Sequence, residues 1–251
     1  MIADVGHRGG VAAVCSDAQP SSGWLLDEVA SAGRENLDAA HVWRYDIKED
    51  AEAESEVALL KGWGLHAESE VMDLGAGTGQ FTLAVAPVCA RVVAVDVSPV
   101  MVARLNEKIA AAEVANVEVV QSGFLTYEHQ GPPVDFVYSR FALHHLPDFW
   151  KAVALKRVRE LLRPRGVLRL WDVVYDFDPT EAEERIEAWC AAVGDDVEDG
   201  WSRAELEEHV RDERSTFRWI LEPMLERCGF SIDTVEYSSD GIFGQYVARA
   251  T

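Results

Sequence analysis

The 251-residue sequence predicts a doubly wound α/β fold, a seven-stranded and mostly parallel sheet whose last strand runs antiparallel. Three observations predict it. Short apolar runs alternate with helix-periodic stretches between Glu70 and Val174. A glycine-rich turn directly follows the first of those runs. The last two apolar runs are joined by Ser238-Ser-Asp-Gly241, a turn signal that makes neighbours antiparallel.

The elements follow in order. Residues 1–22 read as a flexible tail. Residues 23–64 read as a helical cap, with one helix from Trp24 to about Tyr45 and a second from Glu49 to Lys61, stopped at Gly62-Trp-Gly64. The main domain then occupies 65–251. Its first five strands are expected at Glu70–Leu74, Arg91–Asp96, Val117–Gln121, Asp135–Ser139 and Val167–Val174. Helices from Gln80 to Val88, from Ser98 to Ala112 and from Phe149 to Leu162 connect them, the second with Ser98 as N-cap and Pro99 in the first turn. A helical insert at about 178–215 precedes the end of the chain, with helices at Thr180–Ala192 and from Ser202, where Glu205 sits at the capping-box position. A helix over Ser215–Cys228 and strands at Phe230–Tyr237 and Gly241–Arg249 complete the pattern.

Composition narrows the function. The net charge of −21 repels phosphate backbones and argues against a nucleic-acid partner. No apolar stretch is long enough for a membrane-spanning helix, and the N-terminus lacks a basic start followed by an apolar segment. Cys15, Cys89, Cys190 and Cys228 are widely spaced, with no CxxC pair, so neither a disulfide framework nor a metal site is read from them. A cytoplasmic protein with reduced thiols, acting on a small molecule and compatible with a homodimer, is the expectation.

The run Asp73-Leu-Gly75-Ala76-Gly77-Thr-Gly79 carries the chemistry. Alternate glycines after a strand let the backbone turn tightly and approach a ligand closely. Asp96 ends the next strand, where an acid accepts hydrogen bonds from ribose hydroxyls. A dinucleotide site has G-x-G-x-x-G spacing and no acid beside the pyrophosphate. Here the spacing is G-x-G-x-G, and the Asp73 carboxylate would repel a diphosphate. It suits a phosphate-free nucleoside bearing a positive amino group, as S-adenosyl-L-methionine does.

Val71 to about Tyr175 resembles the class I, Rossmann-like S-adenosylmethionine-dependent methyltransferase superfamily. The resemblance lies in Asp73-x-Gly75-x-Gly77-x-Gly79, Val95-Asp96-Val97-Ser98, Asp135-Phe-Val-Tyr-Ser139 with His144-His145-Leu146, and Leu162-Arg-Pro-Arg-Gly166. It implies that Gly75, Ala76, Gly77 and Gly79 pass under the methionine part of the cofactor, that Asp73 reaches its amino group and that Asp96 holds the ribose. Val97 and Met101 would flank the adenine, although a core role for Met101 fits equally well. The family often has an acid near the end of the third strand for the adenine amine. This sequence has Gly123 there, so the adenine contact must come from around Gly123 and Phe124 or from elsewhere. Ser139 and Arg140 fall where the family brings backbone close to the transferred methyl. Tyr45, in Trp43-Arg-Tyr-Asp46, belongs to a segment expected to close over the cofactor.

Methyl transfer from a sulfonium needs alignment and exclusion of water more than it needs a base. His144 and His145, just past the fourth strand, are candidate general bases or simply pack beneath the next helix. Tyr175, after the fifth strand, either orients an acceptor or is a loop aromatic. Trp43, Trp171, Trp201 and Trp219 are candidates to line an acceptor pocket shaped by the insert. The implied activity is transfer of a methyl group to O, N or C of a small acceptor. The alternatives are non-methylating chemistry on the same cofactor, such as a cyclisation or rearrangement, a regulatory subunit without turnover, and methylation of a protein.

Overall fold

A computed structural model describes residues 23–33, 36–48, 51–193 and 200–251. The expected tail at 1–22 lies outside the described residues, as do Glu49 and the acidic run at 194–199. Five strands form the parallel part of the sheet: β1 (Glu70–Leu74), β2 (Arg91–Asp96), β3 (Val117–Gln121), β4 (Val134–Arg140) and β5 (Leu162–Tyr175). A two-residue strand, β6 (Thr216–Phe217), precedes β7 (Phe230–Tyr237) and β8 (Phe243–Ala250). The order across the sheet is β3-β2-β1-β4-β5-β8-β7, with β6 pairing beside β5. Strand β8 is antiparallel to both of its neighbours. The sequence anticipates the seven longer strands in chain order and the antiparallel last one, but neither their order across the sheet nor β6, whose two residues carry no periodic signal.

Eight α-helices occur among the described residues: α1 (Ala39–Lys48), α2 (Ala53–Gly62), α3 (Gln80–Val85), α4 (Pro99–Ala111), α5 (Asp148–Leu161), α6 (Ala182–Ala191), α7 (Arg203–Asp212) and α8 (Arg218–Arg227). Ser98 caps α4 by accepting from the Met101 amide, and Ser202 with Glu205 closes a capping box on α7. The long first helix expected from Trp24 is not formed; only Ala39–Lys48 is helical there. Asp27 accepts from the Ala30 amide and Ser31 donates back to the Asp27 carbonyl, while Gly33 takes φ +78°. These local bonds replace a helical ladder with turns.

Alternation along the strands divides the core. Met72 and Leu74 of β1 face one side and pack with Leu155 and Val158 of α5 and with Leu221 and Leu225 of α8. Val71 faces the other side and packs with Phe81 and Val85 of α3 and with Val57 and Leu60 of α2. Each such side chain, fully buried, contributes roughly 1.5–3 kcal/mol. Asp73 shares the face of Val71, so the period of two sends the carboxylate toward α3. Helix α2 is pinned to the sheet by a buried ion pair: Glu56 accepts from Arg169 Nε at 2.7 Å and Nη2 at 2.6 Å, and Arg169 also donates to Gln245 at 2.7 Å.

Candidate functional site

Two adjoining hollows lie at the carboxyl ends of the parallel strands, where the topology reverses between β1 and β4. The glycine turn forms their floor. Gly75, Gly77 and Gly79 all take positive φ, and the Gly75 and Ala76 amides donate to the Val95 carbonyl at 2.8 and 3.0 Å. A Cβ on Gly75 would stand 2.2 Å from Ala142 Cβ, so this backbone passes against the loop after β4 with no room for a side chain. Gly79 serves packing instead. It does not line either hollow, and a Cβ there would stand 2.1 Å from Leu105 Cδ1 of α4.

The first hollow is walled by Gly75, Gly77, Asp96, Val97, Met101 and Phe124, with Gly123 behind. Asp96 is buried and accepts from the Gly77 amide at 2.8 Å and the Ser98 amide at 2.8 Å, one on each oxygen. Each oxygen keeps a lone pair for an incoming hydroxyl. Burial raises the pKa of this carboxyl against those two bonds.

The second hollow contains Asp73, Ala76, Gly77 and Arg140. Asp73 accepts from Thr82 Oγ1 at 2.6 Å. Burial pushes its pKa up to about 7, opposed by the Thr82 bond and assisted by the Asp96 charge. Among the described residues no cation pairs with it.

The missing acid at the end of β3 is supplied from a distant part of the chain. Glu28, in the N-terminal turns, lies against Gly123 and accepts from the Leu125 amide and from Thr126 Oγ1. A Cβ on Gly123 would stand 2.4 Å from the Glu28 carboxylate. Glu28 lines the first hollow, and burial raises its pKa. Sequence reasoning missed it because the pair is 97 positions apart; a glycine where an acid is usual was the one available signal. Asn36 is a second missed wall, its carbonyl accepting from Ser98 Oγ at 2.5 Å.

Ser139 is buried but lines none of these hollows. Tyr45 lies on α1, its side chain outside the described part of the structure. The neighbouring Asp46 fixes α1 over the glycine turn by accepting from Thr78 Oγ1, and it pairs with Lys108 of α4 at 3.0 Å. Trp43 is 60% exposed and packs under the Arg104 guanidinium rather than in a pocket.

A third cavity, of about 360 Å³, opens beyond the loop after β4. Arg140 and Phe141 line both it and the cofactor-side hollows. Arg140 lies 4.4 Å from the ring centres of both Phe141 and Trp171. Phe141 takes φ +48°, an uncommon backbone state for a bulky residue and one found where a site fixes its geometry. The walls include Trp171 and Phe243 from the sheet, and Trp189, Trp201 and Leu206 from the 178–215 insert. Trp219 is 56% exposed and does not contribute.

At one wall, His144 is held between carboxylates. Its Nδ1 lies 2.5 Å from Asp172 Oδ1, its amide donates to Asp172 Oδ2 at 3.1 Å, and its Nε2 lies 2.8 Å from Glu213 Oε2. Burial resists charging the ring, but Asp172 and Glu213 outweigh it and push the pKa up to about 10. Neither ring nitrogen stands free to accept a proton. His145 shows the opposite shift: burial and the neighbouring His144 bring it down to about 3. Its Nε2 meets Asn36 Nδ2 at 3.3 Å, between the two cavities. Tyr175 does not line the third cavity. It packs on Phe177 and Phe217.

Residues 71–166 match the family model of a methyltransferase domain. Two curated relatives are a carboxy-S-adenosyl-L-methionine synthase of Ectopseudomonas mendocina, 32% identical over 51% of this chain and 54% of its own, and the uncharacterized methyltransferase YcgJ of Bacillus subtilis, 31% identical over 53% of this chain and 52% of its own. The chain thus spans about half the length of these relatives. Among solved structures, magnesium protoporphyrin IX methyltransferase from Synechocystis PCC 6803 with bound SAH superposes with a TM-score of 0.64 at 18% identity, covering 90% of this chain and 100% of that one. The fold is that of the class I methyltransferases.

Proposed function

We propose, for a chain whose residues 71–166 form a methyltransferase domain, that it transfers a methyl group from S-adenosyl-L-methionine to a small, largely apolar acceptor. The single observation that carries this is the pair of buried acids beside a glycine cradle. Asp96 has one lone pair left on each oxygen, and Asp73 lacks a cation. A pyrophosphate would be repelled at Asp73, whereas a ligand with a ribose diol and an ammonium satisfies both.

Bound there, the cofactor supplies an activated methyl group. Asp96 holds the ribose, Asp73 the amino group, and Val97, Met101, Phe124 and Glu28 enclose the base. Arg140 and Phe141 form the partition at which the two cavities meet. The aromatic cavity orients the acceptor and excludes water, which is the main requirement of a direct displacement. Its volume and its tryptophan and phenylalanine walls favour a planar acceptor over a peptide. The carboxy-S-adenosyl-L-methionine synthase relative keeps non-methylating chemistry as the second reading.

Two measurements test this. Calorimetry with S-adenosylhomocysteine is expected to show binding that Asp96→Ala weakens at least about tenfold, because charge-assisted hydrogen bonds of roughly 1.5–3 kcal/mol are lost. Unchanged affinity overturns the ribose role. Incubation with planar hydroxylated or amino-bearing acceptors is expected to give S-adenosylhomocysteine and a product heavier by one methyl group. A product of unaltered mass favours the second reading.

A further inference from the structure

Glu213 follows directly after α7, and the last turn of that helix carries His209. Glu213 Oε2 lies 2.8 Å from His144 Nε2 and 2.5 Å from His209 Nδ1. Both are ion-pair contacts, and neither has the direction of a hydrogen bond. The three donor atoms nevertheless lie within 4.8 Å of one another.

The outer nitrogens of both rings are already occupied. His144 Nδ1 is bonded to Asp172, and His209 Nε2 meets Ser215 Oγ at 3.0 Å. Each ring is therefore held in an orientation that turns its other nitrogen toward Glu213. A carboxylate or hydroxyl behind an imidazole is the usual support of a histidine metal ligand.

We propose that His144 Nε2, His209 Nδ1 and a Glu213 oxygen bind one divalent transition-metal ion at the wall of the acceptor cavity. Two imidazoles and one carboxylate suit zinc, iron, cobalt or manganese, and leave coordination positions open. Ligand distances of about 2.0–2.2 Å require the donors to part by less than about 1 Å from their present contacts. A divalent ion there would lie between the imidazoles and offset the buried charge of the Glu213 carboxylate. All three ligand residues line the cavity, whose other walls include Phe141, Trp171 and Trp189. The open positions face a space that holds a small planar molecule. The ligand class is thus an acceptor with an oxygen donor, a phenol, enol or hydroxy-carbonyl, whose hydroxyl proton the ion would acidify. This last assignment rests on the methyl-transfer reading; the metal site does not.

The test is a titration of the full-length, untagged, chelator-treated protein with cobalt(II), followed by visible absorption and by metal analysis after dialysis. One tightly held equivalent with ligand-field bands is expected. His209→Ala and Glu213→Gln should each lower the affinity more than about tenfold, and Asp172→Asn, acting only through His144, by about 10–100-fold. Circular dichroism checks that each variant is folded. If His209→Ala does not fold, Ser215→Ala is read in its place and should weaken the ion without changing the stoichiometry. Absence of a bound equivalent, or one held equally well by the folded variants, overturns the proposal. The readout needs neither cofactor nor acceptor. A protein that binds cobalt but not S-adenosylhomocysteine would sink the methyl-transfer reading alone, and the reverse result would sink the metal site alone.

Discussion

At the scale of single residues, the site is organised by buried acids and what they lack. Asp73 has its pKa raised to about 7 by burial in the empty protein. An ammonium ligand binds the ionised form, so the affinity for S-adenosylhomocysteine should rise with pH up to about 7 and level off above it. Below 7 it should fall toward tenfold per pH unit. Asp73→Asn should flatten the profile, and calorimetry between pH 5.5 and 8.5 checks it. The linkage has a definite sign. With a folded-state pKa above the unfolded value near 3.8, Asp73 stabilises the empty protein below pH 4, and that contribution is lost as pH rises through 7. The placement of Asp73 and Asp96 beside the glycine turn was legible because strand, turn and acid lie within one short run of sequence. Glu28 was not legible: its partners, the Leu125 amide and Thr126, follow a different strand.

At the scale of elements, the N-terminal helices act as braces. Helix α2 is fastened by Glu56 to Arg169 of β5, a pair buried on both sides. Glu56→Ala leaves the guanidinium uncompensated in the core and should cost about 3–5 kcal/mol. Chemical denaturation measures this as a lowered midpoint, and a loss under 1 kcal/mol would refute the bracing role. The first four parallel strands were legible to within a residue, β1 to β3 at their observed ends. Strand β5 begins earlier than its apolar run, at Leu162, because pairing with Val134 draws the Arg163-Pro-Arg-Gly166 stretch into the sheet. The expected helix from Trp24 failed for a local reason: Asp27 and Ser31 bond their own backbone, and Gly33 turns it. That failure has a consequence in space, since the turned segment is what lets Glu28 reach β3.

At the scale of the whole molecule, the sheet gathers loops from distant parts of the chain at one edge, around adjoining cavities. Arg140, Phe141, His145 and Asn36 face both compartments. Filling the cofactor side should therefore stabilise the fold as a unit. At a hundredfold excess over its Kd, S-adenosylhomocysteine adds about 2.7 kcal/mol, which for a chain of this size raises Tm by about 5–10 °C. NAD at the same concentration should leave Tm unchanged. No helix among the described residues is long and apolar enough to cross a membrane.

The sequence by itself determined the sheet, the glycine turn and the acids at the ends of β1 and β2, because hydrophobic period, glycine spacing and strand ends are local properties of the chain. Only the tertiary structure decided that the Glu28 carboxylate lies against Gly123, and that His144 meets His209 and Glu213. Those groups come together only after β4, the insert and the N-terminal turns have packed on a common sheet edge. Contacts set by packing between remote segments leave no spacing in the sequence to read.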